Sequence, residues 1–212
     1  MPIPLIRKFR ARDERAVRMI CFETALFGES VAPYFGDLRL VTDAILGFHI
    51  WGEPDYLYVA DADGRVVGYL AGTMDVRSLR RRCAARLAFR LSRGWVARGH
   101  FLRPRSWRLA WDAARYARAV ASLSGRVREN YPANLHVNID RNYRALGLGR
   151  ALVEKFLEDA GRGGSPGVHL ATTSAGGREF FSAMGFAVAA TAASPSIAGR
   201  SRDIFLMTRA LP

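Results

Sequence analysis

Arg144, Gly147 and Gly149 form a short segment between an alternating apolar run and a helical pattern. The first backbone N–H groups of an α-helix have no acceptor within the helix, and the helix dipole adds partial positive charge at the same place. Glycine lets the backbone approach a ligand where a Cβ atom would collide with it. The segment therefore predicts a binding site for pyrophosphate at the start of a helix.

Glycine spacing by itself does not identify the ligand, because an ordinary tight turn has the same composition. A Rossmann dinucleotide site requires a third glycine, where this chain has Leu152. The segment also lies late in the chain, after a predicted β-hairpin. These two features disfavour the dinucleotide interpretation, and a purely structural turn stays open as the alternative.

His136 and Asn138 precede this segment and share one face of a predicted strand, because side chains alternate along a strand. Imidazole titrates near neutral pH, so His136 is a candidate general base. A half-buried histidine that is hydrogen-bonded within the sheet explains the pattern equally well. Asn138 is the second candidate for contact with the reacting groups.

Other polar residues are weaker candidates. Glu53 and Tyr56 precede and begin another predicted strand, from which they could reach an acceptor pocket. His169 is better explained by packing on a neighbouring strand. The sequence indicates no partner for His49 or His100.

The apolar pattern places these residues in an α/β domain with a mixed sheet, since strands alternate with helices and include one antiparallel hairpin. Residues 31–50 are predicted to be irregular or helical. The predicted strands are 4–10, 56–60, 66–73, 135–139, 168–172, 186–192 and 203–210, and the predicted core helices are 13–28, 149–160 and 177–184.

An arginine-rich segment interrupts this pattern. Residues 77–128 carry fifteen arginines, no lysine and one acidic residue, a net charge of about +14. The whole chain has a net charge of +13, so the residues outside this segment are near neutral together. Apolar residues at every fourth position predict a first helix with arginines on its opposite face. A second helix is predicted from Pro104, with Trp107 and Trp111 on its inner side. We interpret residues 77–125 as a helical insertion in a single domain of residues 1–212.

Three interpretations of this insertion are compatible with its sequence. Its arginines form a solvated face, or they bind an anionic membrane surface or polyanion together with the tryptophans, or they form a lid that recruits an acidic acceptor. No recognition motif accompanies the charge, so specific nucleic-acid binding is not expected.

Location and oxidation state follow from simpler patterns. The N-terminus lacks the apolar run of a signal peptide, and no run of about 18 strongly apolar residues occurs. We therefore expect a cytoplasmic protein, or one peripheral to the inner face of a membrane. Cys21 and Cys83 have neither metal-site nor disulfide spacing and are expected to be buried thiols.

The motifs resemble those of the GNAT superfamily of N-acetyltransferases. Ile139-Asp-Arg-Asn-Tyr-Arg-Ala-Leu-Gly-Leu-Gly-Arg-Ala-Leu is similar to its pyrophosphate-binding motif, and Phe180-Phe-Ser-Ala-Met-Gly-Phe186 to the helix and strand of a second motif. Val66-Val-Gly-Tyr-Leu resembles its third strand. A narrower resemblance, carried by Tyr131-Pro-Ala-Asn-Leu-His-Val and Pro166-Gly-Val-His-Leu, is to acetyltransferase-like domains found alone or attached to O-linked N-acetylglucosaminidases.

This resemblance implies the GNAT fold, a mixed and mostly antiparallel sheet with splayed central strands and flanking helices. It implies direct transfer of acetyl from acetyl-CoA to a primary amine of a small molecule or amino sugar, and an acidic acceptor is compatible with it. It implies no metal. The oligomeric state stays open. The residues it assigns to acetyl-CoA are Val137, Ile139, Arg144, Ala145, Leu146, Gly147, Leu148, Gly149, Arg150, Ser174 and Phe181.

Two of these residues depart from the family pattern. The family often has asparagine where Ser174 stands, and a tyrosine that can protonate the leaving thiolate where Phe181 stands. Phe181 cannot donate a proton. An acetyl-CoA-binding module with weak turnover is therefore an alternative to an efficient enzyme.

Overall fold

A seven-stranded sheet forms the centre of the computed structural model, which describes residues 4–212. The strands follow the order β1-β2-β3-β4-β5-β7-β6, and only β4 and β5 are parallel neighbours. The mixed, mostly antiparallel sheet is therefore confirmed. The strands are β1 Leu5–Lys8, β2 Leu57–Ala62, β3 Arg65–Thr73, β4 Ala133–Ile139, β5 Gly167–Thr172, β6 Ala187–Ala193 and β7 Asp203–Ala210.

Helices cover both faces of the sheet. On one face Leu152 and Phe156 of α6 pack on Leu70 and Leu135, and on the other Val17 of α1 and Leu46 of α2 form a second buried cluster with residues of β2 and β3. The helices are α1 Glu14–Thr24, α2 Leu38–Gly52, α3 Val76–Ala97, α4 Pro104–Leu123, α5 Val127–Asn130, α6 Leu148–Arg162 and α7 Ala175–Ser182.

The first helix is shorter than its sequence pattern predicts. It ends at Thr24, because Phe27 and Gly28 both adopt positive φ, +54° and +87°. The second helix begins at Leu38, directly after Asp37, whose carboxylate accepts the Leu40 N–H at 3.0 Å and caps the helix. The chain between the two helices folds back on α1 through Val31 N–H, which donates to Phe22 O at 3.3 Å.

The α3 helix packs along α2 through its predicted apolar face. Leu79, Cys83 and Leu87 are buried there. A Cβ atom at Gly52 would overlap Leu79 and Cys83, so this glycine permits the close approach of the two helices. The prediction of buried thiols is also confirmed for Cys21.

Three arginines on the cationic side of α3 contact α2 or its C-terminal end. Arg82 forms an ion pair with Glu53. Arg90 stacks on the Trp51 ring at 4.4 Å, and Arg86 lies 5.4 Å from the same ring. These arginines pack on α2 with their aliphatic stems and guanidinium faces, because α2 offers an aromatic surface and carboxylates beside the apolar seam.

The prediction that Trp107 and Trp111 lie on the inner side of α4 is wrong. Trp107 is 56% exposed and Trp111 67% exposed, and Ser106 is the one residue of α4 that is fully buried. Trp107 does contact Trp95 edge-to-face, with ring centroids 5.1 Å apart. The helix thus keeps a largely uncovered apolar side. No helix within the described residues is long and apolar enough to cross a membrane.

Candidate functional site

The central strands β4 and β5 separate soon after they begin. They pair only at Ala133↔Val168 and Asn134↔His169. Beyond this point β4 remains paired with β3 as far as Ile139, while β5 remains paired with β7. The expected splay of the central strands is confirmed, and it leaves a gap along β4.

Peptide groups of Val137 and Ile139 face this gap. The N–H of Asp140 donates to Val67 O on β3 at 2.9 Å, and the direction of hydrogen bonding alternates along a strand. The peptide groups of residues 137 and 139 therefore point away from β3, towards the side from which β5 diverges. The Ile139 carbonyl accepts a hydrogen bond from Arg144 Nε at 3.3 Å.

A tight turn joins the end of β4 to α6. Asp140 accepts the Asn142 N–H at 3.0 Å, and Ala145 and Gly147 then adopt φ of +63° and +78°. A Cβ atom at Gly147 would have no neighbour within 4 Å, so the backbone conformation and not space is what requires glycine. The turn ends at Gly147, and Leu148 is the first residue of α6.

The N–H groups of residues 146–150 gather at this helix start. Within the described part of the chain, none of these five groups donates a hydrogen bond, whereas the next one, Ala151 N–H, donates to Gly147 O at 3.0 Å. Unsatisfied amides at the positive end of a helix dipole make an anion site. The turn therefore brings together the predicted pyrophosphate-binding residues from Arg144 to Arg150.

The charged side chains of this segment point in different directions. Arg144 reaches Gly28 O at 3.4 Å, which ties the turn to the end of the first helical region. Arg150 pairs with Glu154 at 3.4 Å on the exposed side of α6. A Cβ atom at Gly149 would lie 3.4 Å from the Phe180 ring, so α7 borders the same turn.

His136 and Asn138 lie together on the face of β4 opposite α6, as predicted. The Asn138 amide nitrogen is 2.9 Å from His136 Nε2 and 2.8 Å from the hydroxyl of buried Tyr69. Since this amide nitrogen is a donor, His136 Nε2 accepts and Nδ1 carries the ring proton. Asn138 thus fixes both the orientation and the tautomer of the candidate base.

Burial controls the protonation of His136. Desolvation, with a smaller contribution from nearby His49, lowers the pKa of His136 to about 4. The ring is therefore neutral at neutral pH, which a proton acceptor requires. It is also a weaker base than a free imidazole.

His49 and Glu53 at the end of α2 border this polar cluster. Buried His49 bonds Gly72 O through Nδ1 at 3.0 Å, and burial lowers its pKa. Glu53 accepts from Thr73 Oγ1 at 2.5 Å and pairs with Arg82. Glu53 is thus held by its own neighbours, although it lies on the same side of the sheet as His136.

Ser174 and Phe181, the two departures from the family pattern, both belong to α7 or its cap. The Ser174 hydroxyl accepts the Gly177 N–H at 2.9 Å and caps the helix. Phe181 is 7% exposed and packs edge-to-face on Phe180 and Phe186, with centroids 4.9 and 5.5 Å apart. The Phe181 ring is part of the apolar core beneath α6.

Sequence reasoning missed several partners that long-range packing supplies. His100 bonds Asp37 at 2.8 Å and Ser106 at 3.2 Å. His169 is buried, as its packing interpretation predicts, and bonds Tyr131 O at 2.6 Å. No local periodicity could have paired these residues, since tertiary contacts bring them together.

Comparison with known proteins identifies the family of this chain. Residues 25–186 match the model of the Acetyltransferase (GNAT) family. An uncharacterized N-acetyltransferase of Methanocaldococcus jannaschii is 43% identical over 75 residues, which cover 34% of this chain and 38% of that protein. The match thus spans little more than a third of that relative's length.

Solved structures share the fold over nearly the whole chain. SsHAT is 25% identical with a TM-score of 0.69, and the match covers 99% of this chain and 98% of that one. A phosphinothricin acetyltransferase of Sinorhizobium meliloti, solved in complex with acetyl-CoA, is 18% identical with a TM-score of 0.62, covering 99% and 89%. The chain therefore belongs to the Acetyltransferase (GNAT) family, a family of N-acetyltransferases.

Proposed function

We propose that the chain binds acetyl-CoA along β4 and transfers its acetyl group directly to a primary amine of a small molecule or amino sugar. The observation that carries this proposal is the gap beside β4 that ends at five unsatisfied amides, residues 146–150, at the start of α6. Family membership supplies the reaction class, and the geometry supports where each part of the cofactor would bind.

The residues fit the parts of acetyl-CoA. The amides of residues 146–150 would accept the pyrophosphate, and the peptide groups of Val137 and Ile139 would pair with the pantetheine and polarise the thioester carbonyl. Ala145 and Gly147 shape the turn, while Ser174 and Phe181 would border the cofactor from α7. No metal is required, because backbone dipoles supply the electrostatic stabilisation.

The proposed reaction is nucleophilic addition of the amine to the thioester. The amine lone pair attacks the carbonyl carbon, the C–S bond breaks, and the nitrogen loses one proton as the amide forms. His136 would accept that proton at Nε2 once the Asn138 amide releases its hydrogen bond. The thiolate takes a proton from water, since Phe181 has none to give, and the hydroxide that remains takes the proton from His136. The products are the N-acetylated amine and free coenzyme A, and His136 is neutral again.

An acetyl-CoA-binding module with weak turnover is the alternative within the same family. We also keep as a proposal the narrower relationship to the acetyltransferase-like domains attached to O-linked N-acetylglucosaminidases. Calorimetry with acetyl-CoA and thiol release from acetyl-CoA over a panel of amines and amino sugars separate the two. We expect binding and amine-dependent thiol release. Binding without release for any amine would favour the module, and absence of binding would contradict both.

A second function, attachment to an anionic membrane surface, is favoured by the α3–α4 junction, which we define as residues 89–111. This segment contains six arginines and no acidic residue. It also carries six of the chain's large apolar side chains that are exposed, namely Phe89, Val96, Phe101, Leu102, Trp107 and Trp111.

Exposed aromatic and cationic groups in one segment suit the interface of an anionic bilayer, where rings enter the headgroup region and guanidinium groups bind lipid phosphates. We propose that the α3–α4 junction holds the enzyme at the inner face of a cytoplasmic membrane. The full chain should sediment with vesicles of anionic phosphatidylglycerol and not with neutral phosphatidylcholine, and W107S/W111S should lose sedimentation. Equal sedimentation of this variant would contradict the proposal.

A further inference from the structure

A cluster of three arginines, Arg77, Arg80 and Arg128, lies near the N-terminal end of β4, whereas the turn to α6 follows its C-terminal end. The start of α3 is tied to the chain entering β4 by Val76 N–H, which donates to Pro132 O at 3.2 Å. Arg77 Nη2 donates to Gly125 O at 2.7 Å, just before α5. This junction brings Arg77 and Arg80 of α3 next to Arg128 of α5.

Two of these arginines have no counter-charge. Arg77 pairs with Glu129 at 3.5 Å. Within residues 4–212, Arg80 and Arg128 form neither an ion pair nor a side-chain hydrogen bond, and Arg128 Nε is buried without any partner. By contrast, Arg82 on the same helix α3 pairs with Glu53, and Arg90 Nε, which also lacks a hydrogen bond, lies 3.7 Å from the carboxylate of Asp43.

The surroundings of the pair oppose its positive charge. Desolvation lowers the pKa of Arg80, and desolvation together with repulsion by Arg80 and Arg77 lowers the pKa of Arg128. Arg80 is exposed, whereas Arg128 is half-buried, and placing two guanidinium groups next to each other with one of them partly withdrawn from water is unfavourable unless an anion compensates. Within residues 4–212 no carboxylate pairs with either group, so a bound anion would supply the missing partner.

The pair lies on the side of the sheet that carries the candidate base. Arg80 and Arg128 are both close enough to His169 to lower its pKa, and Arg80 acts similarly on His49. His49 in turn neighbours His136. The arginine pair therefore lies on the same side of the sheet as the proposed proton acceptor, near Asn134, two residues before His136 on β4.

The same pair is remote from the proposed pyrophosphate site. His169 is opposite Asn134 in the sheet, at the start of β4, whereas the turn to α6 follows Ile139. Five residues of a strand span about 17 Å at about 3.3 Å each. The anion that Arg80 and Arg128 would bind is therefore different from the pyrophosphate of acetyl-CoA.

We propose that Arg80 and Arg128 bind an anionic group of the acceptor, a carboxylate or a phosphate, and so position its amine beside His136. Guanidinium groups recognise both anions through paired hydrogen bonds. This inference rests on the proposed function and narrows its acceptor to an acidic amine. It also assigns the buried Arg128 Nε–H a partner.

A binding experiment tests the anion site without turnover. Inorganic phosphate is titrated calorimetrically into the full chain saturated with coenzyme A, which fills the site at α6, with chloride matching the ionic strength. The variant is R80Q/R128Q. The control is R81Q/R126Q, which removes the same charge from two exposed arginines of the same two segments that form no ion pair or hydrogen bond within the described residues.

We expect phosphate to bind wild type and R81Q/R126Q alike, and R80Q/R128Q at least about tenfold more weakly, the loss of one charge-assisted contact. In phosphate-free buffer R80Q/R128Q should melt at or above the wild-type temperature, since repulsion is relieved. A lower melting temperature would indicate a structural role. Equal phosphate affinity in the two double variants would overturn the anion site.

Acceptor pairs then connect the anion site to the reaction. We compare phosphoethanolamine with ethanolamine and β-alanine with its amide, by kcat/KM. Wild type and control should prefer each acidic member by about tenfold or more, and R80Q/R128Q should lose that preference while keeping activity on the neutral member. Preference for neither member in wild type would refute the inference and leave the proposed function intact. Absence of turnover with every amine would refute the proposed function, and the phosphate titration would still decide the anion site.

Discussion

The two ends of β4 bind their proposed ligands by different means. At the C-terminal end, five backbone amides of residues 146–150 face outward from one local turn. At the N-terminal end, the polar groups are side chains from separate elements, such as His49 of α2, Arg80 of α3 and Arg128 of α5. The first end depends on backbone conformation, and the second on tertiary packing and charge.

This difference predicts different sensitivities to mutation. A backbone site tolerates changes of side chain but not of φ, so its glycine is its most vulnerable residue. A side-chain site tolerates small shifts of the backbone but loses function when a single group is removed. The following predictions would weaken or refine that contrast.

The largest expected effect comes from G147D at the backbone site. Gly147 has φ of +78°, which residues with side chains rarely adopt, and an aspartate would add a negative charge next to the proposed pyrophosphate. We expect acetyl-CoA affinity to fall by about 100-fold or more, measured by calorimetry.

The matched control is G161D, near the other end of α6. It adds the same charge at a position with room for a side chain and no positive φ. Acetyl-CoA affinity should change less than about threefold there, because 14 residues of helix separate the sites by about 21 Å. Unchanged affinity in folded G147D would show that the cofactor binds elsewhere.

The next largest effect is expected from H136A at the side-chain site. Removing a general base lowers turnover by about 100-fold, while the affinity for acetyl-CoA should stay within about twofold. H169A on the neighbouring strand is the control, because the pKa of its ring is also lowered to about 4 but the ring bonds the Tyr131 carbonyl. Equal turnover in H136A and wild type would assign His136 a structural role.

The pH profile gives this prediction a second readout. Because the pKa of His136 is lowered to about 4, the neutral ring is already dominant well below neutral pH. Turnover should therefore show no acid limb due to His136 near its ordinary value of 6.5. Such a limb that disappears in H136A would contradict the buried environment of this ring.

A smaller, structural effect is expected from the same burial. Desolvation holds the pKa values of His136 and His169 at about 4 in the folded protein, against 6.5 ordinarily. The unfolded chain thus binds more protons between these values, and the free energy of unfolding should fall as pH drops from 6.5 to 4. Each ring accounts for about 3 kcal/mol of this loss at most.

Urea unfolding at the two ends of this pH range measures the loss. H169N keeps an N–H donor for the Tyr131 carbonyl but does not titrate. This variant should show a pH-dependent loss smaller by up to about 3 kcal/mol than wild type. The same loss in both proteins would mean that His169 is protonated in the folded state as readily as in the unfolded chain.

The comparison of the two ends also separates what the sequence predicts from what it does not. The strand, turn and helix around Gly147 follow from local alternation, glycine spacing and helix periodicity, and each was found where expected. The same periodicity predicts Trp107 and Trp111 on the inner side of α4, because it identifies an apolar side but not whether a neighbour covers that side. In the fold that side is largely exposed.

The side-chain site was predicted only where one strand carries it. His136 and Asn138 share a face by alternation, but their contact with Tyr69 requires the register of β3 against β4. His49 and Arg80 reach the cluster through the packing of α2 and α3. Contacts between residues far apart in sequence depend on how elements are packed, and no local pattern in the chain encodes them.

The smallest effect is expected from F181Y. This variant tests whether protonation of the leaving thiolate limits the rate of the reaction. Phe181 is packed between Phe180 and Phe186, so a hydroxyl fits only if it reaches the cofactor side of α7. A thiol of ordinary acidity leaves as thiolate without assistance, which predicts turnover equal to wild type or higher by less than about tenfold. The control F180Y adds the same hydroxyl beside Gly149. If F181Y lowers turnover and F180Y does not, while both bind acetyl-CoA normally, then the apolar contact of Phe181 is needed for the reaction and its departure from the family pattern is functional.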